Sequence, residues 1–248
     1  MFSKIENAIK INKGGFRQKF LSVVSFAVQR GLGRDRVVLG RPYYNLEELR
    51  GRPRSVEYFW VTRELLREDK RILEIGTSRS YYSEYLAQLG YEVWGMDQRP
   101  WKCRNVKLLQ ADARTAELPE QYFDAIISVS VLEHVGLRHD GCQTIVEDAA
   151  GPCRLVKNVA PSLRRGGRML FTFPYGSGRV THEEMQWIFD RNRLDELVTA
   201  SGLKITAADF FLNNYPHGLM LGDRETMEQT NHFGDFGQYA IACACLQK

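Results

Sequence analysis

Short apolar runs alternate with segments of helical spacing through most of the chain from about residue 55 onward. Residues 71–75, Arg-Ile-Leu-Glu-Ile, read as a strand closing on Gly76, and helical spacing follows from Arg79 to Leu89, ended by Gly90. Short strands are expected near 92–96 and 105–110. The apolar run 123–129 fits a strand buried on both faces at the centre of a parallel sheet. Residues 155–163 read as a helix, Gly166-Gly167 as a turn, and 168–173 as another strand. Asn192 is placed to cap a helix from Arg193 to Ala200 that Gly202 closes, and two last strands fall near 203–211 and 238–246. Upstream, Ser55 is placed to cap a helix reaching Arg67. Alternating strands and helices predict an α/β fold with a doubly wound, mostly parallel sheet.

Two stretches break this rhythm. Residues 136–152 carry Arg138, His139, Asp140, Glu147 and Asp148, and residues 212–237 carry Asn213, Asn214, His217, Asp223, Arg224 and His232. Long irregular segments in a compact domain are usually lids or binding loops. Both are expected to help build an acceptor pocket.

Length and composition change this picture little. The chain has 248 residues, 44% hydrophobic and 26% charged, ordinary values for one large globular domain with an extension. No apolar run approaches the roughly 20 residues a membrane-spanning helix needs. Five cysteines without a C-x-x-C pair read as packing thiols in a reducing, cytoplasmic setting.

Charge distribution changes it more. Residues 1–54 hold 12 Lys/Arg against 4 Asp/Glu, a surplus of +8 in a chain of net charge +4, so residues 55–248 carry −4. The division expected is a basic helical arm and linker, 1–54, before a catalytic domain, 55–248. Within the arm, Phe16, Phe20, Val24 and Val28 fall at helical spacing, bordered by Arg17, Lys19 and Arg30. Two readings stay open: a helix docked on the domain with solvated charges, or a weak peripheral contact of residues 1–30 with an anionic membrane surface.

The candidate chemistry lies at strand ends. The 71–75 strand places Glu74 just before the Gly76 turn, and the next strand ends in Asp97, 23 residues after Glu74. Acids at the carboxyl ends of neighbouring strands are how an open α/β sheet holds a nucleoside. The G-x-G-x-x-G fingerprint is absent, and Ser78, Ser80 and Tyr81 are too bulky for close approach to a pyrophosphate. A nucleoside ligand without phosphates is indicated, and S-adenosylmethionine fits.

Leu73-Glu74-Ile75-Gly76, Asp97, Gln110-Ala111-Asp112-Ala113, and Phe123 to Ser128 with Leu132-Glu133-His134 occur in the order found in one large family. With Leu163 to Leu170 as a fifth element, the chain resembles the class I S-adenosylmethionine-dependent methyltransferases that act on small molecules. The resemblance covers residues 56–248 and implies a Rossmann-like sheet of seven strands, the last-formed one antiparallel. It departs at the first turn, where Ser78 and Ser80 replace later glycines.

For the cofactor S-adenosyl-L-methionine, Asp97 is expected to accept hydrogen bonds from both ribose hydroxyls; an acidic helix cap is the alternative. Gly76, flanked by Thr77 and Ser78, is expected to admit the amino-acid portion, with Glu74 ordering the turn. The resemblance implies an adenine contact by Asp112 and the Ala113 amide, and places Ser128 and Val129 near the methionine portion. His134 is the leading candidate for a general base and His139 the second. Tyr175, Arg179, His182, Trp187 and Arg191 are candidates for binding the acceptor, with core packing the competing reading for Trp187. No histidine spacing suits a metal, so none is expected. The acceptor expected is an oxygen of a sugar or specialised metabolite, not nucleic acid, since the catalytic region is slightly acidic. A non-catalytic scaffold and a membrane-surface binding protein are the rival readings.

Overall fold

The structure, a computed structural model, describes residues 53–66, 68–137, 148–177, 186–214, 218–230 and 238–248. Its strands are β1 (Arg71–Ile75), β2 (Glu92–Asp97), β3 (Lys107–Gln110), β4 (Phe123–Val129), β5 (Leu163–Tyr175), β6 (Lys204–Asn214), β7 (Gly218–Gly222) and β8 (Gln238–Gln247). The helices are α1 (Pro53–Glu64), α2 (Tyr82–Gln88), α3 (Gly151–Val159), α4 (Arg191–Ser201) and α5 (Arg224–Glu228). The strands form one sheet in the order β3-β2-β1-β4-β5-β8-β6-β7. Strands β1 to β5 pair in parallel, and β8 enters antiparallel between β5 and β6.

The mostly parallel, doubly wound sheet is therefore present, and among the described residues it has eight strands where seven were expected. The additional one, β7, pairs antiparallel with β6 inside the segment expected to be irregular. Its Leu219-Met220-Leu221 triplet between glycines is too short to show a period. Several boundaries also move. Helix α1 starts at Pro53, whose fixed φ suits a first helical turn, so Ser55 lies inside it and does not cap it. Helix α4 is capped by Asp190, whose side chain accepts from the Arg193 amide, two residues before the expected Asn192. The helix expected over 79–89 divides into a 3-10 turn at Thr77–Arg79 and the shorter α2.

Helices cover both faces, which is what β4 needs: all seven of its residues are buried. On one face Leu155, Val156 and Val159 of α3 and Leu194 and Leu197 of α4 pack over Ile126, Phe171 and Phe173. On the other, Val56, Trp60 and Val61 of α1 and Tyr82 and Leu86 of α2 pack over Ile72, Ile127 and Leu170. Asp124, buried in β4, accepts from the Lys70 and Arg71 amides at 2.8 and 2.7 Å and pairs with Arg164. These bonds satisfy a carboxylate that would otherwise be costly to bury, and they pin the start of β1 to its central neighbour. The register that results brings the ends of β1, β2 and β4 together.

Candidate active site

A cavity of about 430 Å³ lies outside those carboxyl ends, with Gly76, Asp97, Asp112, Val129 and His134 all in its wall. The turn after β1 makes room for it. Gly76 has φ +81°, and a Cβ there would run into the Val131 side chain, so this position requires glycine twice over. The Gly76 amide donates to the Met96 carbonyl at 2.7 Å, joining the turn to β2.

Asp97 is held from both sides. Its Oδ2 accepts from the Ser78 amide at 3.0 Å and its Oδ1 from the Arg99 amide at 2.9 Å. An ionised carboxylate oxygen can accept more than one bond, so Oδ2 retains acceptor capacity on the cavity wall. Glu74 does not line the cavity. It is buried, accepts from the Ser83 hydroxyl of α2, and has its pKa pushed up by burial against the opposing effect of that bond. It orders the turn from behind. The hydroxyls of Thr77, Ser78 and Ser128 are buried with no hydrogen-bond partner among the described residues.

Asp112 is more constrained than the sequence suggests. Arg114 closes on it with the amide (2.9 Å), Nε to both oxygens (3.1 and 3.0 Å) and Nη2 (2.6 Å). Burial would raise the Asp112 pKa, yet the Arg114 hydrogen bonds leave it below the ordinary value. Arg114 also reaches Asp148, which Arg154 of α3 pairs with in turn. The Ala113 residue sits beside this pair, also in the cavity wall.

At the end of β4, Ser130 adopts φ +46°, and its hydroxyl donates to the buried Glu57 of α1. Thr172 Oγ1 donates to the same Glu57 oxygen at 2.6 Å. Arg54, one turn earlier on α1, donates from Nη1 to the Val129 carbonyl at 2.9 Å and lies 3.4 Å from the second Glu57 oxygen. His134 closes a 3-10 turn, Leu132–His134, with its Nε2 3.9 Å from Glu133 Oε1. Burial pushes the Glu133 pKa up to about 8, with Arg54 opposing the shift.

The expected acceptor residues are not all brought together. Tyr175 is fully buried, its hydroxyl within 2.9 Å of Glu228 and accepting from Arg224 Nε at 3.0 Å, its ring against Phe210. Trp187 is buried too; its indole donates to the Val135 carbonyl at 2.9 Å, and Arg193 stacks over its ring. Arg191 is exposed at the start of α4. None of the three lines the cavity. His139, Arg179 and His182 lie outside the described residues.

Arg54, Tyr58, Ser130 and Arg114 line the cavity without having been expected there. The first two occupy one face of α1 at i and i+4, a spacing that places them side by side. That face hides from a periodicity reading because Glu57 and Thr62 are buried alongside Trp60 and Val61.

Residues 50–209, more than half of the chain, match a family described as a methyltransferase domain. The chain belongs to this family of S-adenosylmethionine-dependent methyltransferases. A ubiquinone biosynthesis O-methyltransferase from Stutzerimonas stutzeri (strain A1501) is 26% identical over 126 residues, 46% of this chain and 48% of that protein. The chain thus matches about half the length of that curated relative. The fold is similar to that of the Burkholderia thailandensis 1,6-didemethyltoxoflavin-N1-methyltransferase, solved with 1,6-didemethyltoxoflavin and S-adenosylhomocysteine. There the TM-score is 0.50 at 13% identity, over 93% of this chain and 89% of the other. A Bacillus halodurans C-125 protein classed with the methyltransferases gives a TM-score of 0.51 at 9% identity, over 82% and 98% of the two chains.

The methyltransferase cofactor suits the groups present. A spare carboxylate acceptor at Asp97 matches a ribose diol, and the glycine turn leaves the end of β1 open. Among the described residues the wall offers no phosphate-binding glycine loop, in keeping with a ligand that has no phosphate.

Proposed function

We propose that this chain transfers a methyl group from S-adenosylmethionine to a hydroxyl of a small-molecule acceptor, a sugar or specialised metabolite. The observation that carries the reading is that Asp97, Gly76 and His134 line one cavity although they come from three different strand ends. S-adenosylmethionine supplies an electrophilic methyl on a sulfonium, whose leaving group is a neutral thioether. The chain's own contribution is therefore mostly alignment. Asp97 holds the ribose, the Ala113 amide faces the adenine, and the Gly76 turn with Ser128 and Val129 borders the methionine portion.

A hydroxyl nucleophile must lose its proton, and His134 is the group on the cavity wall suited to take it. A base on the wall suits a hydroxyl, a poor nucleophile until deprotonated, more than a neutral amine, which attacks without first losing a proton. The O-methyltransferase relative points the same way, while the toxoflavin enzyme acts on nitrogen. Residues 1–30 are proposed as a basic arm that makes a weak, salt-sensitive contact with anionic membranes.

Titration with S-adenosylhomocysteine, followed by transfer of labelled methyl to a panel of hydroxylated and amine acceptors, tests the reading. Micromolar binding with label on oxygen is the expected result. No binding at millimolar ligand would leave a scaffold as the function, and label only on nitrogen would reassign the acceptor.

A further inference from the structure

The sheet ends on each side in a strand with a free edge, and the two edges differ. At one end β3 is four residues long, with Lys107 and Gln110 as its terminal residues. A short edge strand carrying a lysine is protected against pairing with another chain. At the other end β7 pairs with β6 alone among the described residues. Its five residues, Gly-Leu-Met-Leu-Gly, hold no charge, no proline and no polar side chain.

Successive side chains of a strand point to opposite faces. Leu219 is buried with Phe211 and Ile241, but Met220 and Leu221 are each 44% exposed. Of the five large hydrophobic side chains exposed among the described residues, these are the two that adjoin in sequence. Each face of the edge therefore offers an apolar side chain. In an antiparallel ladder only every second residue turns its N–H and C=O toward the partner strand, so the others of β7 point outward.

The same five residues indicate what fits this edge, because Gly218 to Gly222 reads identically in both directions. Two copies of β7, antiparallel about a two-fold axis at Met220, set Gly218 opposite Gly222, Leu219 opposite Leu221 and Met220 opposite itself. A two-fold contact needs a surface complementary to itself, and here the match holds residue by residue. The charges that follow the strand are engaged within the chain. Asp223 accepts from the Thr226 amide at 2.8 Å, and Arg224 donates to Tyr175 and Glu228 at 3.0 Å.

We propose that β7 is a homodimer contact, in which a second copy of this chain adds its own β7 antiparallel and the two sheets become continuous. The cavity lies outside the ends of β1, β2 and β4, at the other side of the sheet, so this pairing leaves it open. The proposal is independent of the methyltransferase reading. Five residues a side bury less than the roughly 1,600 Å² of a standard interface, so the dissociation constant should be about 1–100 µM.

Sedimentation of the full chain from about 1 to 300 µM should show a reversible monomer–dimer equilibrium in that range. Met220→Arg, which sets two like charges against each other on the axis, should weaken it by about tenfold or more. Unchanged thermal unfolding and S-adenosylhomocysteine affinity would show that this variant is folded. Cysteine substitution then reads the register under excess oxidised glutathione. Directly opposed residues lie about 4.5–5.5 Å apart at Cα, within disulfide reach, so Met220→Cys should be captured as a covalent dimer. Leu221→Cys lies two residues along the strand from its own copy, out of reach, and should crosslink no more than wild type. A chain that stays monomeric at 300 µM overturns the proposal, whatever else covers β7. So does a dimer that Met220→Arg leaves intact, or crosslinking that is equal at positions 220 and 221.

Discussion

The Ser78 amide donates to Asp97 Oδ2 at 3.0 Å, so the turn after β1 is anchored on the acid that ends β2. The same carboxylate therefore has two tasks, shaping the turn and meeting the ribose. Asp97→Ala should weaken S-adenosylhomocysteine binding by about 2–4 kcal/mol, the loss of charge-assisted hydrogen bonds plus some loosening of the turn. Asp97→Asn, whose amide oxygen can still accept from Ser78, should fall between wild type and Ala. Calorimetry with circular dichroism checks this. Equal, wild-type affinities in both variants would remove Asp97 from the site.

The strand ends were legible because Glu74, Gly76 and Asp97 are fixed by backbone needs: an apolar run, a positive φ and a terminal acid. The continuous burial of β4 was legible for the same reason. What stayed hidden depends on long-range contact. Arg54 and Glu57 meet Val129, Ser130 and Thr172 only once α1 lies across the sheet, across 73 to 115 residues of sequence. Tyr175 and Trp187 looked available because aromatic residues beside a loop suit a sugar, but Glu228, Arg224 and the Val135 carbonyl satisfy their polar atoms in the interior. Strand β7 is carried by three apolar residues, fewer than a period can reveal.

Asp112 and Arg114 give a prediction opposite in emphasis to the sequence resemblance. Three N–H groups of Arg114, its amide, Nε and Nη2, make four contacts with the two carboxylate oxygens and take up most of their acceptor capacity. Asp112 then supports the Ala113 segment more than it reads adenine. Asp112→Asn should therefore cost less than half the binding free energy lost in Asp97→Ala. Since Arg114 and Asp112 are both partly exposed, their pair should add no more than about 1 kcal/mol to stability. Calorimetry and thermal unfolding of the two variants decide it; a loss as large as that of Asp97→Ala would restore direct adenine recognition by Asp112.

His134 is proposed as a base, and the consequence is kinetic. His134→Asn should lower kcat by roughly 10²-fold or more while donor affinity changes little. The variant should be compared with His139→Asn under the same conditions. Full turnover in His134→Asn with collapse in His139→Asn would move the role to the 136–152 segment.

Glu133 carries the clearest dependence of stability on pH. Its carboxyl is buried, Oε2 has no partner among the described residues, and its pKa is pushed from 4.5 up to about 8 by burial. The folded state therefore holds a proton on Glu133 that the unfolded chain releases near its ordinary value. Stability from this group is fully present below about pH 4.5 and is lost as pH rises toward 8, because the unfolded chain then binds fewer protons than the folded one. The slope is at most about 1.4 kcal/mol per pH unit. Buried Glu74 and Asp69 also have raised pKa values and act in the same direction, so the wild-type curve alone cannot isolate Glu133. The difference between wild type and Glu133→Gln does. The variant should gain melting temperature relative to wild type steadily from pH 5 to pH 8, and the gap should stop widening above that. Thermal unfolding at unit pH intervals measures it, and melting curves that stay parallel across this range would show that Glu133 ionises normally in the folded chain.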